Sequence, residues 1–282
     1  MADYKKRLVE RYWTYQKACF PEVDEHFDRP YAPDGRPPMF RWHQVRNNVI
    51  TNPDTNQEEI SHLLRLIPKG ERHKWFRSMS SSQAVAQSVF GNLVVYGNLN
   101  QLAELEDKTG SPLFGEAQAT TENFHMEYKI GYLGEPRPTS FDCFLSGRYR
   151  VAIECKFTEA EFGSCSRPLL SPSASNYDTD FCNGNYTEQR ERKEKCSLTK
   201  VGVLYWKYIP DLFYWKRTVD FVPCPVYKNY QLVRNVLAAC VDSKRNVADE
   251  SGHVVVIFDE RNPAFQVGRN ALFSYEETRT AL

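Results

Sequence analysis

At 282 residues the chain is long enough for one large domain or two small ones, and its 13% aromatic and 26% charged residues exclude a disordered protein. Acidic and basic residues number 36 each, so there is no global basic field and any nucleic-acid groove must be locally basic. No stretch approaches the roughly 20 apolar residues of a membrane span, and the polar start Met1–Arg11 is no secretory signal. A cytoplasmic protein with reduced thiols and no membrane contact is expected.

Residues 3–20 are expected to form a helix with Leu8, Tyr12, Tyr15 and Cys19 on one side. Pro, Asp and Gly then crowd 21–38, which reads as a linker or irregular arm. Thr55-Asn56-Gln57-Glu58 has the form of a capping box opening a helix with Ile60, Leu63, Leu64 and Ile67, closed by Pro68-Lys69-Gly70. Ser80, Ser81 and Ser82 offer caps for a further helix carrying Val85, Val89, Leu93 and Leu102, which Gly91 and Gly97 should bend or interrupt. Residues 1–78 thus read as a helical N-terminal region and 79–282 as the core, with no internal repeat. Two basic runs stand out: Lys69, Arg72, Lys74 and Arg77, and Arg190, Arg192, Lys193, Lys195 and Lys200. The second is interleaved with Glu188, Glu191 and Glu194 and reads as a solvated helix face.

The core opens with a strand over 123–132, where Phe124, Met126, Tyr128 and Ile130 alternate with His125, Glu127 and Lys129. Next, 141–145 and 149–157 flank the turn signal Ser146-Gly147-Arg148 and are expected to pair as an antiparallel hairpin. Strict alternation puts Val151, Ile153, Cys155 and Phe157 on one apolar face and Ala152, Glu154, Lys156 and Thr158 on the other. Packing gives no reason to place a carboxylate and an ammonium two residues apart on such a strand. Asp142 joins them only with the right parity. A three-residue loop pairs Asp142 with Ala152 and leaves Glu154 diagonal, a five-residue loop sets it opposite Glu154, and a two-residue loop turns it to the apolar face. The plain alternative is a surface hairpin whose Glu154 and Lys156 pair in solvent.

Two carboxylates beside a lysine suit phosphodiester chemistry. Mg²⁺, with Mn²⁺ as a substitute, prefers carboxylate, carbonyl and water oxygens. It lowers the pKa of a bound water and offsets charge in the transition state. Asp142 and Glu154 would be ligands, the backbone carbonyl of Cys155 could complete the set, and Lys156 would orient the water or stabilise developing charge.

Asp142 followed by Glu154 and Lys156 resembles the PD-(D/E)xK phosphodiesterase superfamily, the restriction-endonuclease-like nucleases. The resemblance covers about 80–280 loosely, its specific signal being those three residues. It implies an α/β fold: a restriction-endonuclease-like core in the order αβββαβ, with a central mixed sheet flanked by helices. It implies a metal-dependent nuclease, an endonuclease rather than an exonuclease, hydrolysing DNA through a metal-activated water in restriction, repair or defence. A double-strand cutter of this kind would often be a homodimer. Many members take an acid from the first core helix; here that helix offers Gln83 and Gln87 and no acid before Glu104, which counts against a second strongly bound metal. Gln83 either holds a metal-bound water or touches DNA, or simply caps and packs. Glu127 is either an extra ligand or water-positioning acid, or a strand-surface acid balanced by Lys129.

Residues 160–200, extending to about 225, read as an irregular insertion. Cys165, Cys182 and Cys196 within it could bind Zn²⁺ or an iron–sulfur cluster, as in some iron–sulfur nucleases of the superfamily, with Cys155, Cys224 or Cys19 as a fourth ligand; otherwise they are buried free thiols. The aromatic run Tyr205, Trp206, Tyr208, Phe213, Tyr214 and Trp215 reads as core in preference to a base-stacking platform. An amphipathic helix over 226–241 carries Tyr230, Gln231 and Arg234, which resemble the polar second-helix residues that such nucleases aim at the site, Gln231 being the supporting residue. Val254 to Phe258 reads as the fourth core strand. Two other classes stay open: an inactive nucleic-acid-binding module of the same fold, and a structural protein with a Cys-bound metal.

Overall fold

The structure is a computed structural model describing residues 1–28, 35–107, 109–114, 117–191, 196–248 and 251–282. Helix α1 (Ala2–Cys19) buries Tyr4, Leu8 and Gln16. The expected side is therefore rotated: Leu8 is buried, whereas Tyr15 and Cys19 are exposed. Tyr4 draws the helix round, because its hydroxyl finds polar partners at the core, donating to the Phe157 carbonyl and to Asp259, both at 3.1 Å.

Helix α2 (Gln57–Arg65) begins one residue later than the expected box. Asn56, not Thr55, is the N-cap: its side chain accepts from Glu59 N at 3.0 Å while Glu59 accepts from Asn56 N at 2.9 Å. The run Glu58-Glu59 puts an acid in place for either frame, and the Asn56 frame, with its amide oxygen facing both Glu58 N and Glu59 N, wins. Helix α3 (Ser82–Val95) is capped by Ser81. Gly91 leaves it unbroken and serves contact instead: a Cβ there would lie 3.2 Å from Leu63 Cγ on α2. Gly97, at φ +69°, follows the helix end, so Leu102 falls on the separate 3₁₀ turn Leu99–Glu104.

Four strands, β1 (Phe124–Ile130), β2 (Thr139–Leu145), β3 (Arg150–Lys156) and β4 (Gly252–Phe258), form one mixed sheet in the order β1-β2-β3-β4. β1–β2 and β2–β3 are antiparallel, and β3–β4 is parallel. The hairpin's last pair, Leu145 with Val151, leaves 146–150 as the connection, the five-residue case among those considered. Between β3 and β4 come helices α4 (Tyr205–Leu212) and α5 (Tyr230–Cys240), and the chain ends with α6 (Asn270–Thr280). This mixed α/β arrangement is compatible with a restriction-endonuclease-like core.

Both faces of the sheet are covered. Val151, Ile153 and Cys155 pack with Leu63, Ile67 and Phe76 of the N-terminal region and with Phe90 of α3. Phe141, Phe144 and Ala152 pack with α4 and α5 on the other side. Packing therefore runs across the 78/79 boundary. In the aromatic run Tyr205, Trp206, Tyr208 and Phe213 are core, while Tyr214 is 74% exposed. α4 also shows that the 160–225 segment is less irregular than its Ser, Asn and Gly content suggests. The 226–241 helix is interrupted: a turn, Pro225–Lys228, precedes α5, and the buried Asn229 at the joint donates to Glu277 at 3.0 Å. Of the second basic run, Arg192, Lys193 and Lys195, with Glu194, lie outside the described residues. Among the described residues no helix is long and apolar enough to cross a membrane.

Gly252 shows how tightly β4 is set. A Cβ there would sit 2.5 Å from both the Ala239 and Arg150 carbonyl oxygens, backbone atoms that cannot yield cheaply. Gly252→Ala is expected to cost about 1–3 kcal/mol, read as a lowered midpoint in thermal or urea unfolding; an unchanged midpoint would refute this packing.

Candidate active site

The β2–β3 ladder stops at Cys143–Ile153, and the same register carried one step further sets Asp142 level with Glu154. Beyond the last pair the Asp142 carboxylate takes over as acceptor, receiving the Cys155 N–H at 2.7 Å. A side chain thus replaces a ladder carbonyl, and the strands part where the acids stand.

Glu154 and Lys156 do pair, at 2.9 Å, but at 5% and 8% exposure they are not a solvent pair. Helix α5 explains how the sheet tolerates them. Gln231 Nε2 donates to Glu154 at 2.6 Å, Gln231 Oε1 accepts from Lys156 Nζ at 2.8 Å, and Asn235 Nδ2 donates to the other Glu154 oxygen at 3.3 Å. Gln231 and Asn235 are i, i+4 partners on one helical face. Of the three helix residues singled out from sequence, Gln231 alone reaches the triad. Arg234 lies 5.8 Å over the Phe141 ring and 5.9 Å over Tyr230, and Tyr230 meets the Tyr205 hydroxyl. Asn235 was missed; its signal is a polar residue one turn beyond Gln231 in an otherwise apolar run.

Glu127 faces the same place from β1. Its φ of +49° is uncommon outside glycine, and it drops out of a ladder whose register is continuous on either side, level with Asp142. It accepts from Gln83 of α3, whose amide also accepts from His73 N at 2.9 Å and donates to the Glu71 carbonyl at 3.1 Å. Lys129 pairs with Glu71 rather than balancing Glu127. Gln87 donates to the Leu63 carbonyl at 2.7 Å and serves packing.

Gln83, Glu127, Asp142, Glu154, Lys156 and Gln231 line a cleft of about 940 Å³, with Lys5, Arg36, His73 and Trp75 of the N-terminal region along its wall. Burial, and then the charge of Glu154, hold the Asp142 carboxyl well above the usual carboxylate range. Glu127 is raised too, chiefly by burial, against hydrogen bonds from Gln83 and Ser140 that pull it down. Glu127, Asp142 and Glu154 thus share the cleft floor with Lys156, and carboxylate oxygens are the donor type that a hard divalent cation prefers. Among the described residues no group of three or more His, Cys, Asp or Glu side chains stands in a metal-holding arrangement. That applies to these acids and equally to Cys165, Cys182 and Cys196, which all lie round one small cavity together with Cys224.

A protein-family model described as "Restriction Endonuclease associating with ARP" matches residues 22–281. The chain belongs to this family. The family is consistent with the restriction-endonuclease-like superfamily that Asp142, Glu154 and Lys156 resemble, and it makes nuclease the coarse functional class. Comparisons with curated proteins and with solved structures returned no match.

For a family of nucleases the polar clamp from α5 makes a measurable demand. Gln231→Leu and Asn235→Ala are each expected to lower cleavage rate about 10–100-fold, the usual effect of losing a group that orients ligands. Circular dichroism should show the fold retained; full activity in both variants would remove α5 from the site.

Proposed function

We propose that this protein is a Mg²⁺-dependent endonuclease that hydrolyses DNA phosphodiester bonds in the cleft between the sheet and its N-terminal wall. One observation carries the reading: Asp142 converges with the buried Glu154 and Lys156 on the floor of that cleft. Asp142 and Glu154, with the Cys155 backbone carbonyl, would hold Mg²⁺, or Mn²⁺ in its place. When bound, the cation supplies a lowered water pKa and neutralises charge that builds on the phosphoryl oxygens.

The chain's own residues do the rest. Lys156 aims its ammonium at the attacking water or at the oxygens that gain charge, with Gln231 fixing its direction. Gln231 and Asn235 hold Glu154 so that its carboxylate does not rotate away. Glu127, steered by Gln83, positions water or a further ligand at the β1 edge. Lys5 and Arg36 on the cleft wall offer the local positive charge that a neutral chain must supply to a phosphate backbone. A cytoplasmic homodimer, one site per chain, suits a cut in both strands.

The test is incubation of linear and circular duplex DNA, single-stranded DNA and RNA with wild type and Glu154→Gln, in Mg²⁺, Mn²⁺ and EDTA. Cleavage of circular duplex that needs the cation and vanishes in the variant is expected. A wild type that binds DNA but neither cuts any substrate nor binds Mg²⁺ would make the protein an inactive binding module instead.

A further inference from the structure

Away from the cleft, four of the eight cysteines meet. Cys165, Cys182, Cys196 and Cys224 come from separate segments of the 160–225 insertion, all are buried, and all line one cavity of about 20 Å³. They sense one another electrostatically: Cys165 with Cys182 and Cys196, Cys196 with Cys182, Cys224 with both Cys165 and Cys196. None is in a disulfide.

Free buried cysteines usually pack as small apolar groups. Three of these four behave differently, for their sulfurs face backbone N–H groups: Arg167 at Cys165, Leu198 and Thr199 at Cys196, Val226 and Tyr227 at Cys224. Such donors two and three residues downstream offset negative charge on a thiolate and do little for a neutral thiol. Burial meanwhile pushes the Cys165 and Cys224 thiols up to about 12.

The surrounding backbone is already stitched. Cys165 N donates to the Tyr227 carbonyl at 2.9 Å, and Cys224 N to the Gly184 carbonyl at 2.7 Å. These bonds hold the ends of segments whose helical pieces, such as Tyr177–Asp180 and Ser197–Lys200, are too short to bury an apolar face of their own.

We propose that Cys165, Cys182, Cys196 and Cys224 form a tetrathiolate site for a single Zn²⁺ that braces the insertion. Four sulfur ligands are the donor set of structural zinc. The cavity has room for one ion, a void of roughly 10–15 Å³ being the space of one water-sized probe, and not for a four-iron cluster. Because no three of these side chains stand in a metal-holding arrangement without the ion, the sulfurs must draw inward round it, each thiol releasing its proton to solvent as its sulfur–zinc bond forms. The site stands independently of the nuclease reading.

Elemental analysis of the full chain, purified without chelator, should find about one zinc per chain. Asp142→Asn should keep that zinc, which separates the site from the cleft, and Cys196→Ser/Cys224→Ser should lose it. Where the double variant does not fold, titrating wild type with a mercurial should release zinc in step with four thiols, read by a chromogenic chelator. Absence of zinc, zinc lost in Asp142→Asn but kept in the cysteine variant, or iron with acid-labile sulfide in its place would each overturn the proposal.

Discussion

Lys156→Ala is expected to lower DNA cleavage by about 10²–10³-fold or more, with Mg²⁺ binding by calorimetry retained. The ammonium is 8% exposed, 2.9 Å from Glu154, and held by Gln231 at 2.8 Å, so its position is fixed by the site. Its removal leaves the acids to attract a divalent ion as strongly as before. It would take away the charge proposed to act on the reacting phosphate. In EDTA the same variant should also unfold at lower temperature, because a buried carboxylate that loses its partner costs roughly 3–5 kcal/mol. Added Mg²⁺ should restore much of that stability without restoring the rate. Lys156→Arg should not rescue activity, since a planar fork cannot reproduce a point charge between Glu154 and the Gln231 amide. An alanine variant that cuts at the wild-type rate would end the assignment of Lys156.

Asp142→Asn should have opposite effects on activity and on metal-free stability. Cleavage is expected to fall by at least about 10²-fold, because one of the two acids proposed to hold the cation is lost. Stability in EDTA at neutral pH is expected to rise. Asp142 is held above its ordinary range first by burial and then by Glu154. A carboxyl whose folded pKa is raised contributes its stability below the unfolded value and loses it as pH climbs through the folded one. Metal-free wild type should therefore lose stability between acid and neutral pH by an amount that the Asn variant keeps. The amide oxygen can still receive the Cys155 N–H, so the strand end stays in place. For a chain of this size each 1 kcal/mol moves the melting temperature about 2–4 °C. Differential scanning with and without Mg²⁺ reads both effects; a variant less stable than wild type in EDTA would show that the acids do not strain the metal-free site.

Much of this arrangement was legible in the chain. Alternation over 150–157 gives the two faces of β3, and parity restricts the hairpin to loops that bring Asp142 and Glu154 together. Choosing between the admissible loops required the structure, since Ser146-Gly147-Arg148 marks a turn without fixing its length. Periodicity also found α5, but the clamp formed by Gln231 and Asn235 depends on how the helix is rotated against the sheet. Asn235, at 0% exposure in an apolar run, could only be read as an anomaly. Local rules failed where a tertiary partner outbid them. Tyr4 turned α1 away from its expected side by reaching Asp259, and Gly91 proved to be a contact point between helices. Glu127 belongs to the same group, because nothing in Met126-Glu127-Tyr128 announces a left-handed residue in a strand.

The cleft wall bears on how the protein can be dissected. Arg36, His73 and Trp75 face the same space as Asp142, and Phe76, Leu63 and Ile67 share the hydrophobic packing of β3. A truncated chain starting at residue 79 would thus be neither a minimal enzyme nor a soluble scaffold. It would bare the sheet's apolar side and open the cleft floor to bulk water. Fragment work on this chain should keep the first helices and trim elsewhere.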